Sequence, residues 1–538
     1  MIEMVLSILW SQWTWLVGVS TVLAYKWLTA NQDFFEKRNV PHEKLTVLFI
    51  STIKMILRKE SMFEMVKRMH LKFKDHEYYG TFEIRTPGLI IASPEMIKQI
   101  TIKDFDHFLN HRVILDAEDE PLFGNTLFSL KDQKWKEMRA TVSPAFTGSK
   151  MRMMFRLIDE CARNACKYLK GESQNKGHIE MDLKDYFTRY TNDVVATCAF
   201  GIQINSFLEK DNEFYRMAMK ATNFMGVAVF KLILFVCFHK IMKWLKVRLF
   251  DEKFSKYFHK LVTDTMQQRA EKGIIRPDMV NLLMEARKGV LQASNTGKAD
   301  ANEGFATAQE SIINHKPVNR IWTEEELVAQ CFGFFLAGFE TSSILMCFCA
   351  HELMENRLVQ EKLIEEIDGV RKELGNEPLT YDAIQKMKYM DMVVSETLRK
   401  WPPAVATDRI CNKPYVIRGK DGGRYKLEPG DKIAIPIVGL HYDPDNFPNP
   451  DKFDPERFGE GNRSHIRPFT YLPFGVGPRN CIGSRFTLME AKAIIFHLLS
   501  EFTLEASPQS CIPLRLATSG FELKPKGGFW LTFKPRDR

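Results

Sequence analysis

The chain has 538 residues, is 45% hydrophobic and 26% charged, and carries a formal net charge of +8. Such a chain can bury a large core as one big domain or a few smaller ones, and its modest basic excess suits acidic partners or an anionic membrane surface, while no basic run is dense enough for a nucleic-acid binder. Its 10 cysteines include no Cys-x-x-Cys pair, which argues against zinc, and no Cys-x-x-Cys-His, which argues against covalently tethered haem; most lie in apolar runs, as reduced core residues facing the cytosol would.

Residues 4–25 contain no charge, close to the ~20 residues that a bilayer helix needs. Trp10, Trp13 and Trp15 are heavy for a span, and Ser11, Gln12 and Thr14 weaken it. Glu3 stands where a cleaved signal peptide would be basic, no small-residue cleavage site comes after it, and the absence of arginine argues against a mitochondrial presequence. Lys26, Lys37 and Arg38 come after the span, so the chain beyond them is expected in the cytosol. The expectation is a non-cleaved signal anchor of the endoplasmic reticulum over 1–30, a linker over 31–45 and one domain over 46–538. A signal peptide or an interfacial helix is the alternative for the first segment.

Alternation over 79–91 predicts a β-hairpin broken at Pro87-Gly88, and 105–130 is turn-rich. Trp135 and Arg139 stand four apart on one helix face, a pair that is often merely exposed. Residues 151–208 read as successive amphipathic helices. The apolar run 224–238, interrupted only by Lys231, is too short to span a bilayer. With His239, Lys240, Lys243, Lys246 and Arg248 after it, the run suits a membrane surface, or else a buried core helix. Residues 289–320 read as a flexible polar connection.

Thr323 and Glu326 make a capping box for a long apolar helix running to about His351. In it stands Ala337-Gly338-Phe339-Glu340-Thr341-Ser342. An acid and a hydroxyl inside so apolar a helix cost free energy unless they have partners or a task; a kink with a back-bonded threonine is the other reading. Glu396 and Arg399 share a face of the next strong helix, which stops before Pro402-Pro403. Residues 433–440 read as a buried strand and His441 begins a loop. Last comes Phe474-Gly475-Val476-Gly477-Pro478-Arg479-Asn480-Cys481-Ile482-Gly483, just before an apolar-periodic helix over 485–502. A cysteine in a tight loop at a helix N-terminus can be held as a thiolate by backbone N–H groups, which is how proteins present sulfur to haem iron; a structural cysteine beside a glycine turn is the alternative.

The pattern Phe-x-x-Gly-x-Arg-x-Cys-x-Gly resembles the haem-binding loop of the cytochrome P-450 family. The segment around Thr341 resembles that family's oxygen-activation motif. Glu396 and Arg399 with Asp454-Pro455-Glu456-Arg457-Phe458 resemble its two core motifs, in the same order and spacing. The resemblance implies a mainly α fold with a small β region, a triangular helical prism after an N-terminal membrane anchor helix. It makes Cys481 the axial ligand of haem b in a loop built with Phe474, Gly475 and Gly483. It assigns Trp135, Arg139, Arg409 and Arg479 to the haem propionates. It gives Ala337 and Gly338 a groove over the iron, Thr341 a hydrogen bond to dioxygen, and Glu340 proton supply through water. It makes Glu396, Arg399 and Arg457 a buried structural network behind the loop. Residues 105–130 would then cover the substrate cavity, Ser519-Gly520-Phe521 would project into it, and 224–238 would dip into the membrane. The family's usual proline-rich hinge is reduced here to Pro41.

The wording is most similar to insect microsomal members that oxidise foreign compounds. The implied function is a membrane-bound, haem-thiolate monooxygenase acting on lipophilic small molecules with O2. Electrons would come from an NADPH-cytochrome reductase, with cytochrome b5 as an optional second donor, since the chain has no nucleotide-binding fingerprint of its own. A basic surface around Lys134, Lys136 and Arg485 is the expected reductase face. Dedicated oxidation of a hormone, pheromone or fatty acid is the nearest alternative. A haem-thiolate isomerase or dehydratase, against which Glu340 and Thr341 argue, and a non-catalytic haem-binding protein are the remote ones.

Overall fold

A computed structural model describes the chain except residues 1, 84, 113–114, 175–176, 223–230, 232–233, 236–238, 240, 288–303, 308–319, 421, 519–522 and 537–538. The run 224–238, expected to dip into the membrane, most of the connection 289–320 and Ser519-Gly520-Phe521 therefore lie wholly or largely outside the described residues.

The architecture is built on one helix, Glu324–Glu355, which the other helices surround. The predicted capping box starts it: Thr323 Oγ1 accepts from the Glu326 N–H at 3.2 Å, and Glu326 Oε2 accepts from the Thr323 N–H at 3.0 Å. Among the described residues it is the one helix long and apolar enough to cross a membrane. Its run from Ser342 to Met354 is buried throughout, so it is a core helix. Leu183–Ala199, buried at nearly every position, lies along it. Gly148–Gln174 is amphipathic instead, burying Met151, Phe155, Ile158, Ala162, Ala165 and Leu169 at helical spacing. It packs on Ser484–Glu501, the helix that comes after Cys481. A short strand, Ile179–Asp182, interrupts the expected succession of helices and pairs with Trp530–Pro535.

The predicted hairpin forms, as Tyr78–Glu83 against Thr86–Ile91. Pro87 and Gly88 do not break it. They sit within the second strand, opposite Phe82 and Thr81, and the chain turns before Thr86. Thr86–Ile91 runs parallel to Lys432–Ile435, which pairs antiparallel with Thr407–Ile410 to complete a four-stranded sheet. The strand expected over 433–440 is thus only Lys432–Ile435; after Pro436 a short helix, Ile437–His441, takes over. Proline lacks the N–H a continued ladder would use.

Residues 31–45, expected as a linker, are docked on this sheet. The Gly80 N–H donates to Pro41 O at 2.7 Å, and Asn31 Nδ2 to Arg85 O at 3.0 Å. Phe35 is fully buried against Phe82, and any side chain at Gly80 would overlap its ring. Before it, Ile2–Thr29 is one helix whose Trp13, Trp15, Leu16 and Val17 are exposed.

Candidate active site

The Cys481 loop is shaped by glycines that no other residue could replace without strain. Gly475 and Gly477 have φ of 71° and 75°, the left-handed region. A Cβ on Gly477 would also run into the Thr101 carbonyl. The turns so formed let the Asn480 N–H donate to Gly477 O at 2.9 Å and the Cys481 N–H to Phe474 O at 2.8 Å. Phe474 anchors the loop in the main core. Gly483 is the N-cap of Ser484–Glu501, so Cys481 does stand just before a helix N-terminus. Cys481 is exposed while its neighbour Asn480 is buried. Protein atoms nonetheless surround it, so the space that it borders lies within the molecule. The surrounding protein pushes its thiol up, while a hydrogen bond from Gly483 and the Arg139 charge pull the other way.

Open space also meets the middle of the central helix. Ala337 and Thr341 are exposed there, although Phe335, Phe339 and Ser342 are buried. The Thr341 hydroxyl donates to Ala337 O at 2.5 Å, the back-bonded form. The rest of the motif points elsewhere. Gly338 faces the neighbouring helix, where an added Cβ would touch Val195 at 3.5 Å, so Ala337 alone of the small pair is open. Glu340 accepts from Lys184 Nζ at 2.7 Å, and Lys184 also reaches Ser343 Oγ at 3.1 Å. The acid to which the resemblance gives proton supply is thus held in an ion pair.

Three guanidinium groups converge beside the loop. Arg139, on the helix Asp132–Val142, donates to the Asn480 carbonyl at 2.9 Å and to its side chain at 2.8 Å, fastening the residue before Cys481. Arg479 donates to the carbonyls of Leu109, Leu127 and Leu130 at 2.8, 3.2 and 2.7 Å, and lies 4.0 Å over the buried ring of Trp135. Arg409, at the sheet edge, reaches Asp408 O at 2.6 Å and Val476 O at 3.2 Å, yet its Nε is buried without a partner. Among the described residues no carboxylate forms a salt bridge with Arg409 or Arg479. Burial lowers both, Arg409 to about 10, and Arg479 to about 8 with added repulsion from Arg409 and Arg139.

Behind the loop, Glu396 and Arg399 form a fully buried bidentate pair, both contacts 2.8 Å. Glu396 Oε1 also accepts from the Asp454 N–H at 3.0 Å. Arg457 Nε lies 3.5 Å from that oxygen, and its Nη2 donates to Asn449 O at 2.9 Å. The sequence reading missed the connection to the loop, which is His441. Its Nε2 accepts from the Leu472 N–H at 2.9 Å, so its Nδ1 carries the proton and donates to Arg399 O at 3.0 Å. Burial and the Arg399 charge hold it down at about 3, hence neutral. His111 was missed too: it stacks on Phe128 and contacts Asp408 Oδ1 at 3.1 Å, beside the arginines. Neither histidine carries a sequence signal, since both depend on contacts distant in the chain.

The model of the family described as Cytochrome P450 matches residues 41–532. This chain belongs to the cytochrome P450 family. Among its relatives, probable cytochrome P450 9f2 of Drosophila melanogaster is 48% identical over 97% of this chain and 99% of its own length. Cytochrome P450 9e2 of Blattella germanica is 44% identical over 99% of both. Cytochrome P450 6k1 of the same insect is 33% identical over 95% of both. The protein is accordingly a monooxygenase of the haem-thiolate type, in a family that uses O2, a redox partner and lipophilic substrates.

The residues present fit that cofactor. Among the described cysteines Cys481 is the one that is exposed, with backbone donors and a helix N-terminus behind it. The mutually repelling arginines, one with an unpartnered buried N–H, need anions between them, as the carboxylates of a porphyrin would be.

Proposed function

We propose that the chain is an anchored microsomal monooxygenase that oxidises foreign lipophilic compounds with haem b held through Cys481. The observation that carries the reading is the accessible Cys481, with Thr341 also exposed on the central helix and a cluster of buried arginines beside the loop. The cofactor, when bound, supplies oxygen activation, favoured by thiolate electron donation. The chain's own part is positioning and proton handling. Arg139 and Arg479 fix the loop and, with Arg409, receive the propionates. Ala337 leaves room beside Thr341, whose hydroxyl can turn from Ala337 O to orient dioxygen and pass a proton from water. Glu340 contributes through its pair with Lys184, by setting charge near that water path. Glu396, Arg399 and Arg457 keep the loop in register through His441.

Residues 1–30 serve as the anchor, with the domain on the cytosolic face of the endoplasmic reticulum. Ile2–Thr29 as a helix would be about 42 Å long, ample for a bilayer. Reductase, and optionally cytochrome b5, approach the Cys481 loop side. Of the lysines expected there, Lys134 pairs with Glu326 at 2.7 Å inside the capping box, and Lys136 pairs with Asp106 at 2.8 Å on the surface. Lys136 is therefore the better steering charge.

The test is turnover of purified protein with reductase, NADPH and oxygen against a panel of plant toxins, insecticides, steroids and fatty acids. Oxidation of several unrelated lipophiles is expected. Turnover of one endogenous compound alone would overturn the detoxification role, and no oxygen uptake with any compound would overturn monooxygenation by this chain.

A further inference from the structure

The helix that starts beside Cys481 and the helix that carries Thr341 meet at a carboxyl that neither haem binding nor proton delivery uses. Glu490, on Ser484–Glu501, is fully buried, and neither of its carboxyl oxygens has a hydrogen-bond partner. Around it stand Cys161 from Gly148–Gln174, Tyr190 and Cys198 from Leu183–Ala199, and Ser342 from the central helix. None of these is a cation. Tyr190 Oη donates to the Glu490 backbone carbonyl at 3.1 Å, leaving the side chain unaided. Ser342 is fully buried with an unpartnered hydroxyl; it lies beside the carboxyl but outside hydrogen-bond geometry. Nearby charges are engaged elsewhere: Lys492 with Asp391 at 2.8 Å, His497 with Asp159 at 2.7 Å, and Asp193 with Ser206.

An ionised carboxylate in such a place has nothing to offset its desolvation, whereas a neutral acid loses little. We propose that Glu490 is kept as a neutral carboxylic acid, a proton-dependent tie between the Thr341 helix and the Cys481 helix. Losing the proton leaves a bare charge where four helices cross, and the crossing must then open to water. Burial raises Glu490 from the ordinary 4.5 to about 8, with Ser342 pulling slightly down. The folded state thus holds the proton more tightly than the unfolded chain does. Stability is fully present below the ordinary value and is lost as pH rises through about 8. Glu490 is a positioning residue, and its effect on turnover rests on the reading of Thr341; its ionisation does not.

The experiment uses the holoprotein. Infrared spectra of the parent below pH about 8 should contain a protonated-carboxyl C=O band that fades above it and is missing from Glu490→Gln. The thermal midpoint of the parent should fall by roughly 2 °C or more between the ordinary value of 4.5 and about 8, where the unfolded chain has lost the proton and the folded one has not, and the variant should be flat. If Glu490→Gln does not fold, Ser342→Ala serves, because removing the hydroxyl should move the titration to higher pH. Absence of the band in the parent, or an unchanged pH profile in the variant that folds, overturns the tie. Product formed per NADPH should decline with the same midpoint. Should the band and the stability titrate while that yield stays constant, the tie stands and the role given to Thr341 falls.

Discussion

At the scale of single residues, Thr341 and the loop glycines separate chemistry from construction. Thr341 is exposed to internal space, and its hydroxyl bonds only its own helix. Thr341→Ala should fold and bind substrate as the parent does, since no tertiary hydrogen bond is lost. It should consume NADPH while releasing hydrogen peroxide, with product formation down by up to about 10²-fold. A product-to-NADPH ratio equal to the parent's would make Thr341 a packing residue. Gly477 and Gly483 should behave oppositely. Gly477→Ala forces a Cβ into the Thr101 carbonyl at positive φ, and should cost about 1–3 kcal/mol in denaturation of the holoprotein. Gly483→Ala meets only Cys481 Sγ, at 4.0 Å, so it should spare stability and shift the absorption spectrum and reduction potential instead. Equal loss of stability in both would refute the distinction. Gly477 was visible in the sequence as one of several glycines; what makes it irreplaceable is Thr101, hundreds of residues away, and that was not.

Among the elements, the helix ending at Arg399 and the loop ending at Cys481 are joined by a buried polar chain, from Glu396 through Arg399 and His441 to Leu472. Arg399→Leu strands Glu396 and should cost about 3–5 kcal/mol, seen as loss of folded holoprotein or a large drop in its denaturation midpoint. A variant as stable as the parent would show the pair to be dispensable. His441 adds an acid limb. Its value of about 3 lies below the ordinary 6.5, so its contribution is present above the ordinary value and is lost as pH falls towards 3. The slope is at most about 1.4 kcal/mol per pH unit. In His441→Gln that part of the slope should vanish from denaturation curves between neutral and acid pH; an identical slope would mean that other groups carry it. The motifs holding Glu396, Arg399, Thr341 and Cys481 were legible because spacing along one helix or one loop decides them. The ion pair of Glu340 was not legible because its partner Lys184 comes from a different helix. The strand over 433–440 was overextended because apolar residues fit a strand and a short buried helix equally well until Pro436 is weighed.

For the whole molecule, the proposed approach of the reductase turns on surface charge. Lys136→Glu should slow reductase-driven turnover at low salt, lose that effect at high salt, and leave peroxide-driven turnover intact. Lys134→Glu, which breaks into the capping box of the central helix, should weaken both. Equal effects from the two would mean that position on the helix does not matter. The hydrophobic N-terminal segment was readable from composition, and the mainly helical fold from the family resemblance. The docking of 31–45 on the hairpin was not, because it depends on Phe35 finding the gap that Gly80 leaves. The proposed oxygen chemistry and reductase docking both depend on Cys481 ligating haem. The most direct test is the absorption spectrum of the purified, reduced protein under carbon monoxide, for the parent and for Cys481→Ala. A Soret band at the red-shifted position of thiolate ligation in the parent, absent from the variant, is the predicted result; the same band in Cys481→Ala, or none in a haem-loaded parent, would contradict it.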